Sequence, residues 1–332
     1  MTPTPLELDL IDRWQHDFPL AERPFEIVAR AAALGQHETL RMFRRMRDHD
    51  VISRIGAVVR PNTVGASTLA AMQVPRERLE QVARIVSHQP LVNHNYEREH
   101  PLNLWFVITG AGLDAIAETI GAIEEQTRLG VVNLPMLRAY HLDLGFPLSA
   151  GRQPRRAQVG LDADYCPSPL DRSILAAIED GLPLVEEPYR MVAKQLKLGE
   201  SDLIARLEHL VATGVVTRFG CVVRHDKLGY RANAMAVWDV PDEMVDAVAA
   251  SFARHPSVTL CYRRPRHQPI WPYNLFCMVH AKSRGDVYAV LDDVNLHADT
   301  GLNRQAVLFS TRCFKQRGAV FSDPGRHANV HC

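Results

Sequence analysis

The sequence predicts an α+β fold built twice over, in two tandem copies packed as a pseudo-dimer. Three observations carry that expectation. The stretch FPLAERPFEIVARAAALG (18–35) aligns without a gap with LPLVEEPYRMVAKQLKLG (182–199), an offset of 182 − 18 = 164 residues. Each copy opens on apolar residues at helical spacing and passes into alternating, strand-like patterns. Each copy also carries an apolar strand with the same Asn-Leu pair, Asn103-Leu104 and Asn274-Leu275, close behind a knot of ionisable side chains.

The elements follow in order. First helices are expected over 7–16 and 171–180, and second helices begin at Pro24 and Pro188, residues suited to the first helical position. Gly35 and Gly199 mark a turn, and third helices follow in HETLRMFRRMRDH and ESDLIARLEHLVA. The alternating stretches DVISRIGAVVR (50–60) and GVVTRFGCVVR (214–224) complete two winged helix-turn-helix motifs. After a two-residue shift in offset, HQPLVNHNYER (88–98) matches RHPSVTLCYRR (254–264). The remainder of each copy reads strand, helix from Pro75 or Pro241, strand, strand, helix, strand, which is the ferredoxin-like βαββαβ order. The expected boundaries are 1–62 and 169–226 for the winged helices, 63–148 and 227–321 for the ferredoxin-like domains, 149–168 for a polar linker and 322–332 for a disordered tail. His327, His331 and Cys332 in that tail have metal-like spacing, too sparse to define a site.

Composition excludes several classes. Lys+Arg 38 balances Asp+Glu 38, so no global charge drives the chain to nucleic acid or an anionic membrane. No apolar run approaches the ~18 residues of a spanning helix, and MTPTPLELDL lacks the regions of a secretory signal, so a cytoplasmic protein is expected. The six cysteines include no C-x-x-C pair and read as reduced, mostly buried thiols. The third helices argue against a palindrome reader. Residues 36–48 carry four arginines against Glu38 and Asp48 (4 − 2 = +2), whereas 199–211 carry Arg206 against Glu200, Asp202 and Glu208 (1 − 3 = −2). Two equivalent basic recognition helices are needed for that task. Fusing two unlike copies instead suits one site that draws different residues from each.

A winged helix followed by a ferredoxin-like domain resembles the Lrp/AsnC regulators. More specifically, HNYEREHPLNLWF and CYRRPRHQPIWPYNLFCMVH resemble the signature stretches of the siroheme decarboxylases, which are Lrp/AsnC-like in fold. The resemblance covers essentially residues 5–321. It implies loss of CO2 from two acetate side chains of siroheme to give 12,18-didecarboxysiroheme, in heme d1 synthesis or the alternative heme pathway. It also implies related decarboxylase subunits as protein partners, no organic cofactor, and iron that arrives only within the substrate. Residue chemistry agrees with it. A flat, polycarboxylated macrocycle asks for an aromatic slot rimmed by arginines. Arg98, Arg263, Arg264 and Arg266 suit the rim, and Tyr96, Trp105, Trp271 and Tyr273 suit the walls. Protonating the carbon that loses CO2 asks for a general acid of near-neutral pKa. His100 and His280 are the first candidates, with His94 and His267 as further substrate-contacting histidines. Two rival readings are a regulator that senses a tetrapyrrole or amino acid and a silent tetrapyrrole-binding partner of a true enzyme.

Overall fold

The computed structural model describes residues 3–142, 145, 148, 165–298 and 304–318. Most of the expected linker 149–168 and all of the expected tail 322–332 lie outside the described residues. In chain order the first copy runs α1 (Pro5–Arg13), α2 (Pro24–Ala31), α3 (Gln36–Asp48), β1 (Ile52–Val59), β2 (Ala66–Met72), α4 (Leu79–His88), β3 (Val92–Arg98), β4 (Leu104–Gly110), α5 (Leu113–Thr127), β5 (Val132–Pro135) and β6 (Arg138–Leu142). The second runs α6 (Pro169–Ala177), α7 (Pro188–Leu196), α8 (Glu200–Ala212), β7 (Val216–Val223), β8 (Ala232–Trp238), α9 (Val245–Phe252), β9 (Val258–Arg263), β10 (Leu275–Ala281), α10 (Arg284–Ala298) and β11 (Gln305–Gln316). These form two compact units that cut across the duplication, one holding the helical front of both copies and one holding both strand-rich remainders.

In the helical unit, α1 and α6 start two residues earlier than the apolar spacing suggests. Thr4 with Glu7, and Ser168 with Asp171, close capping boxes ahead of a proline in the first turn. Gly35 and Gly199 cap α3 and α8 at ordinary φ of −79° and −69°. The left-handed twist of each turn falls on Ala33 (φ 53°) and Lys197 (φ 57°) instead. The strand after each third helix finds its partner in the other copy: β1 pairs antiparallel with β7, with Gly56 opposite Gly220. Those glycines are 220 − 56 = 164 residues apart, the repeat offset, so the pair is its own image and marks a pseudo-two-fold axis.

The capping acids do a second job. The buried Glu7 carboxylate accepts two bonds from Arg45 of α3, at 2.9 and 2.5 Å. Asp171 accepts from Arg206 of α8 and, at 2.7 Å, from the Tyr165 hydroxyl. Burial alone would raise the Asp171 carboxyl, but bonds from Arg206, Tyr165 and Ser168 hold it at about 2. Arg44 donates to the Leu184 carbonyl across the pseudo-dimer, at 3.2 and 2.7 Å. Two of the four arginines counted on α3 are therefore spent on structure.

In the sheet unit, nine strands run in the order β5-β2-β4-β3-β11-β8-β10-β9-β6. Each copy keeps the ferredoxin-like order of strands 4-1-3-2, and the far end of each fourth strand crosses to the other copy. The 12-residue β11 pairs with β8 and then with β3; its counterpart, interrupted at Met136 and Leu137, is β5 on β2 and β6 on β9. Alternation divides the core into three. Ala70, Leu104, Phe106 and Ile108 face the first copy's helices, and Trp238, Leu275, Cys277 and Val279 face the second's. The opposite faces meet in one shared core: Leu69, Trp105 and Leu134 from the first copy, Met235, Tyr262, Trp271, Phe276 and Leu308 from the second. Cys221, Cys261 and Cys277 are buried thiols and Cys313 an exposed one, but Cys166 is disulfide-bonded, so the expectation of reduced cysteines throughout does not hold.

Candidate active site

Each copy carries Tyr-x-Arg at the end of its second strand, Tyr96-Glu97-Arg98 closing β3 and Tyr262-Arg263-Arg264 running one residue past β9. Alternation sends the tyrosine and the last arginine to one face. Arg98 and Arg264 are only 7% and 9% exposed. Arg98 Nη1 donates to the Leu308 carbonyl of the second copy at 3.0 Å, and Arg264 Nη1 donates to the Leu134 carbonyl of the first. Each guanidinium lies over its own tyrosine, 5.8 Å from the Tyr96 ring centre and 4.6 Å from that of Tyr262. Among the described residues neither meets a carboxylate, and Arg264 Nε has no hydrogen-bond partner. Burial pulls Arg98 down to about 10 and lowers Arg264 as well. Two cations buried without a counter-anion are costly to hold. Their chemistry fits an anionic ligand.

Aromatic rings from both copies surround the pair. Trp105 meets Trp271 at 5.0 Å between ring centres, and Trp271 meets Tyr273 at 4.9 Å and Phe276 at 5.8 Å. Tyr262 stacks on Phe276 at 5.8 Å. Trp105 Nε1 donates to the Leu102 carbonyl at 2.6 Å, whereas the buried Trp271 Nε1 has no partner among the described residues. His94 stacks beside Tyr96 at 6.3 Å. Three of the four expected walls, Trp105, Trp271 and Tyr273, therefore belong to one aromatic neighbourhood, while Tyr96 stacks with His94. Phe276 and Tyr262 join that neighbourhood; their signal in the sequence is alternation along β10 and the equivalence of Tyr262 with Tyr96.

The histidines separate. His100 packs edge-on to Trp271 at 5.4 Å, and its Nδ1 accepts the Leu102 N–H at 3.0 Å. Burial lowers its pKa, and an N–H aimed at Nδ1 keeps that nitrogen unprotonated, so the neutral ring carries its proton on Nε2. Nε2 has no partner among the described residues. His100 also lines a cavity of about 770 Å³ with Val74, Pro75, Arg76, Glu99, Asn103 and Leu129. His280 shares the Phe276 face of β10, but both its nitrogens are engaged. Thr259 Oγ1 donates to the Met278 carbonyl at 3.1 Å, so it accepts from His280 Nδ1 at 3.1 Å, and Asn233 Nδ2 donates to Nε2 at 3.3 Å. The exposed His267 contributes its backbone, which bridges that of Trp271 through two 2.7 Å bonds.

Arg263 and Arg266 stand apart from the buried pair. Odd numbering on β9 turns Arg263 to the opposite face, where it donates to Asp242 at 2.8 Å. Arg266 bonds Asp239 and Asp242, each at 2.9 Å, and the Val240 carbonyl at 2.5 Å. The repeated asparagines are structural. Asn103 accepts from Val74 N–H and donates to Val74 O, both at 2.9 Å, and Asn274 does the same to Val240, both at 2.9 Å. Among the described residues no cluster of His, Cys, Asp or Glu is arranged to hold a metal ion, and no helix is long and apolar enough to cross a membrane.

Comparison with known proteins agrees with this architecture. The model of the AsnC-like ligand binding domain matches residues 64–141 and 227–315, and that of the siroheme decarboxylase NirDL-like HTH domain matches 7–52 and 171–216. The chain is 41% identical to the siroheme decarboxylase NirDL subunit of Paracoccus denitrificans, over 97% of this chain and 99% of that one. The crystal structure of the siroheme decarboxylase NirDL matches with a TM-score of 0.68 and 29% identity, over 95% of this chain and 94% of that one. A second crystal structure of the siroheme decarboxylase NirDL, in co-complex with an iron-uroporphyrin III analogue, matches with a TM-score of 0.65 and 28% identity, over 96% and 94%. Family models spanning both copies and an end-to-end relative lead to one assignment: the chain belongs to the siroheme decarboxylase NirDL family.

Proposed function

We propose that the chain is a siroheme decarboxylase that removes CO2 from two acetate side chains of siroheme to give 12,18-didecarboxysiroheme, in heme d1 biosynthesis. The observation that carries this reading is the mirrored pair of buried arginines, Arg98 and Arg264, set among aromatic rings from both copies without a carboxylate of their own. A flat macrocycle bearing several carboxylates supplies both complements, ring faces for the aromatics and anions for the guanidiniums.

Each decarboxylation breaks the bond between the carboxylate carbon and the CH2 attached to the ring. The bonding pair flows into the conjugated pyrrole system as CO2 departs, and a proton on that carbon completes the methyl group. We assign the proton to His100, whose Nε2 is the engaged ring's one unoccupied nitrogen. Substrate carboxylates approaching it raise its pKa and favour the cation, reversing the effect of burial. His280 is the second acid, usable once Asn233 releases its Nε2. The reaction in this reading uses no organic cofactor, and iron enters only as part of the substrate. Siroheme and related decarboxylase subunits are the partners, and the cytoplasm is the compartment. The regulator reading is disfavoured by α3, where Arg44 and Arg45 are tied to Leu184 and Glu7 rather than offered to phosphate. Trapping the gas released from siroheme under anaerobic conditions tests the proposal. Two CO2 per macrocycle are expected, and none would refute it.

A further inference from the structure

The duplication provides an internal control for the cavity beneath His100. The offset of 166 residues that relates Tyr96 to Tyr262 also relates Gln73, Val74, Pro75 and Arg76 to Asp239, Val240, Pro241 and Asp242, and His100 to Arg266. The frames correspond, because Asn103 clamps the Val74 backbone as Asn274 clamps that of Val240. The contents differ. In the second copy, Arg266 reaches across to both Asp239 and Asp242 and caps the Val240 carbonyl, so an ion-pair cluster occupies the place. In the first copy the arginine is replaced by the shorter His100 and the aspartates by Gln73 and Arg76, and a cavity of about 770 Å³ opens there.

The charge changes as well. Glu99 on the cavity wall is matched by Arg284 at 2.5 Å. Arg76 has no carboxylate partner among the described residues. The cavity therefore presents, together with His100, one cation without a carboxylate partner among the described residues, with Val74, Pro75, Pro101 and Leu129 as its apolar lining.

We propose that the first copy's cavity receives a carboxylate-bearing side chain of the substrate, that Arg76 is the residue that selects it, and that Arg266 with Asp239 and Asp242 closes the corresponding place in the second copy. The inference rests on siroheme as the substrate.

The test is an absorbance titration of the full chain with siroheme, together with thermal melting of each variant. Arg76→Ala should weaken binding about tenfold, the effect of losing one charged hydrogen bond. Arg76→Asp should weaken it further, Arg76→Lys should restore most of it, and the differences should shrink at high salt. The double variant R76D/H100R copies the Asp242–Arg266 pair of the second copy. It should melt no lower than the wild type and lose siroheme binding. Asp242→Asn, in the closed place, should leave affinity unchanged. A wild-type chain that does not bind siroheme overturns the underlying reading and this inference with it. Wild-type binding that folded Arg76→Ala and Arg76→Asp variants leave unchanged overturns this inference alone.

Discussion

Replacing Arg98 with methionine separates a residue kept for its ligand from one kept for the fold. A guanidinium held at about 10, well below its ordinary value, is disfavoured as a buried cation by about 3 kcal/mol. Against that stand one charge-assisted bond to the Leu308 carbonyl, about 1.5–3 kcal/mol, and a contact over Tyr96 of about 0.5–1 kcal/mol. The terms nearly cancel. Methionine fills a similar volume without the charge, so unfolding by urea, followed by tryptophan fluorescence, should place Arg98→Met within about 1 kcal/mol of the wild type. Binding should respond quite differently. A carboxylate drawn into the site loses its buried partner at a cost of about 2 kcal/mol or more, which is about thirtyfold in siroheme affinity. The reasoning fails if Arg98→Met loses about 3–5 kcal/mol of stability while the folded fraction still binds siroheme as the wild type does. Arg98 would then be a clasp between the copies.

Four further outcomes are expected. Asp171 is held at about 2, below its ordinary 3.8, so its ion pair contributes about 2 kcal/mol that is present above pH ~4 and lost as the pH falls towards 2; Asp171→Asn should be less stable by that amount at pH 7 and equal to the wild type at pH 2, in urea titrations at each pH. Asn274→Ala removes both bonds to the Val240 backbone and should cost about 2–3 kcal/mol, read by thermal melting. His100→Gln should slow CO2 release by about 10²–10⁴-fold while the protein still folds; because burial depresses the His100 pKa, its contribution to stability is lost as the pH falls below ~6.5, and the variant should lack that acid limb. Binding to random duplex DNA at low salt, where phosphate contacts are strongest, should be undetectable by anisotropy.

The repeat, the order of elements and the equivalence of Tyr96-x-Arg98 with Tyr262-x-Arg264 were legible in the sequence, because they depend on local spacing. Which arginines lie inside was not. Arg263 and Arg264 are neighbours, yet strand alternation buries one and sends the other to Asp242, a partner 21 residues upstream. The Asn-Leu recurrence was visible, but its purpose depends on where Val74 and Val240 pass, which only the sheet register decides. His280 looked equal to His100 for the same reason; Asn233 and Thr259, which engage it, lie on neighbouring strands. The basic count on α3 was correct as arithmetic and incomplete as physics, since Glu7 and the Leu184 carbonyl come from elsewhere in the chain. The cavity beneath His100 appears only when the two copies are compared in three dimensions.

The central claim is that these two unlike copies together form one decarboxylating site. Anaerobic incubation of the full chain with siroheme, followed by extraction and mass measurement of the tetrapyrrole over time, tests it most directly. The account predicts a transient species lighter by one CO2 that gives way to a final product lighter by two. Siroheme recovered at unchanged mass after binding to the protein would contradict it.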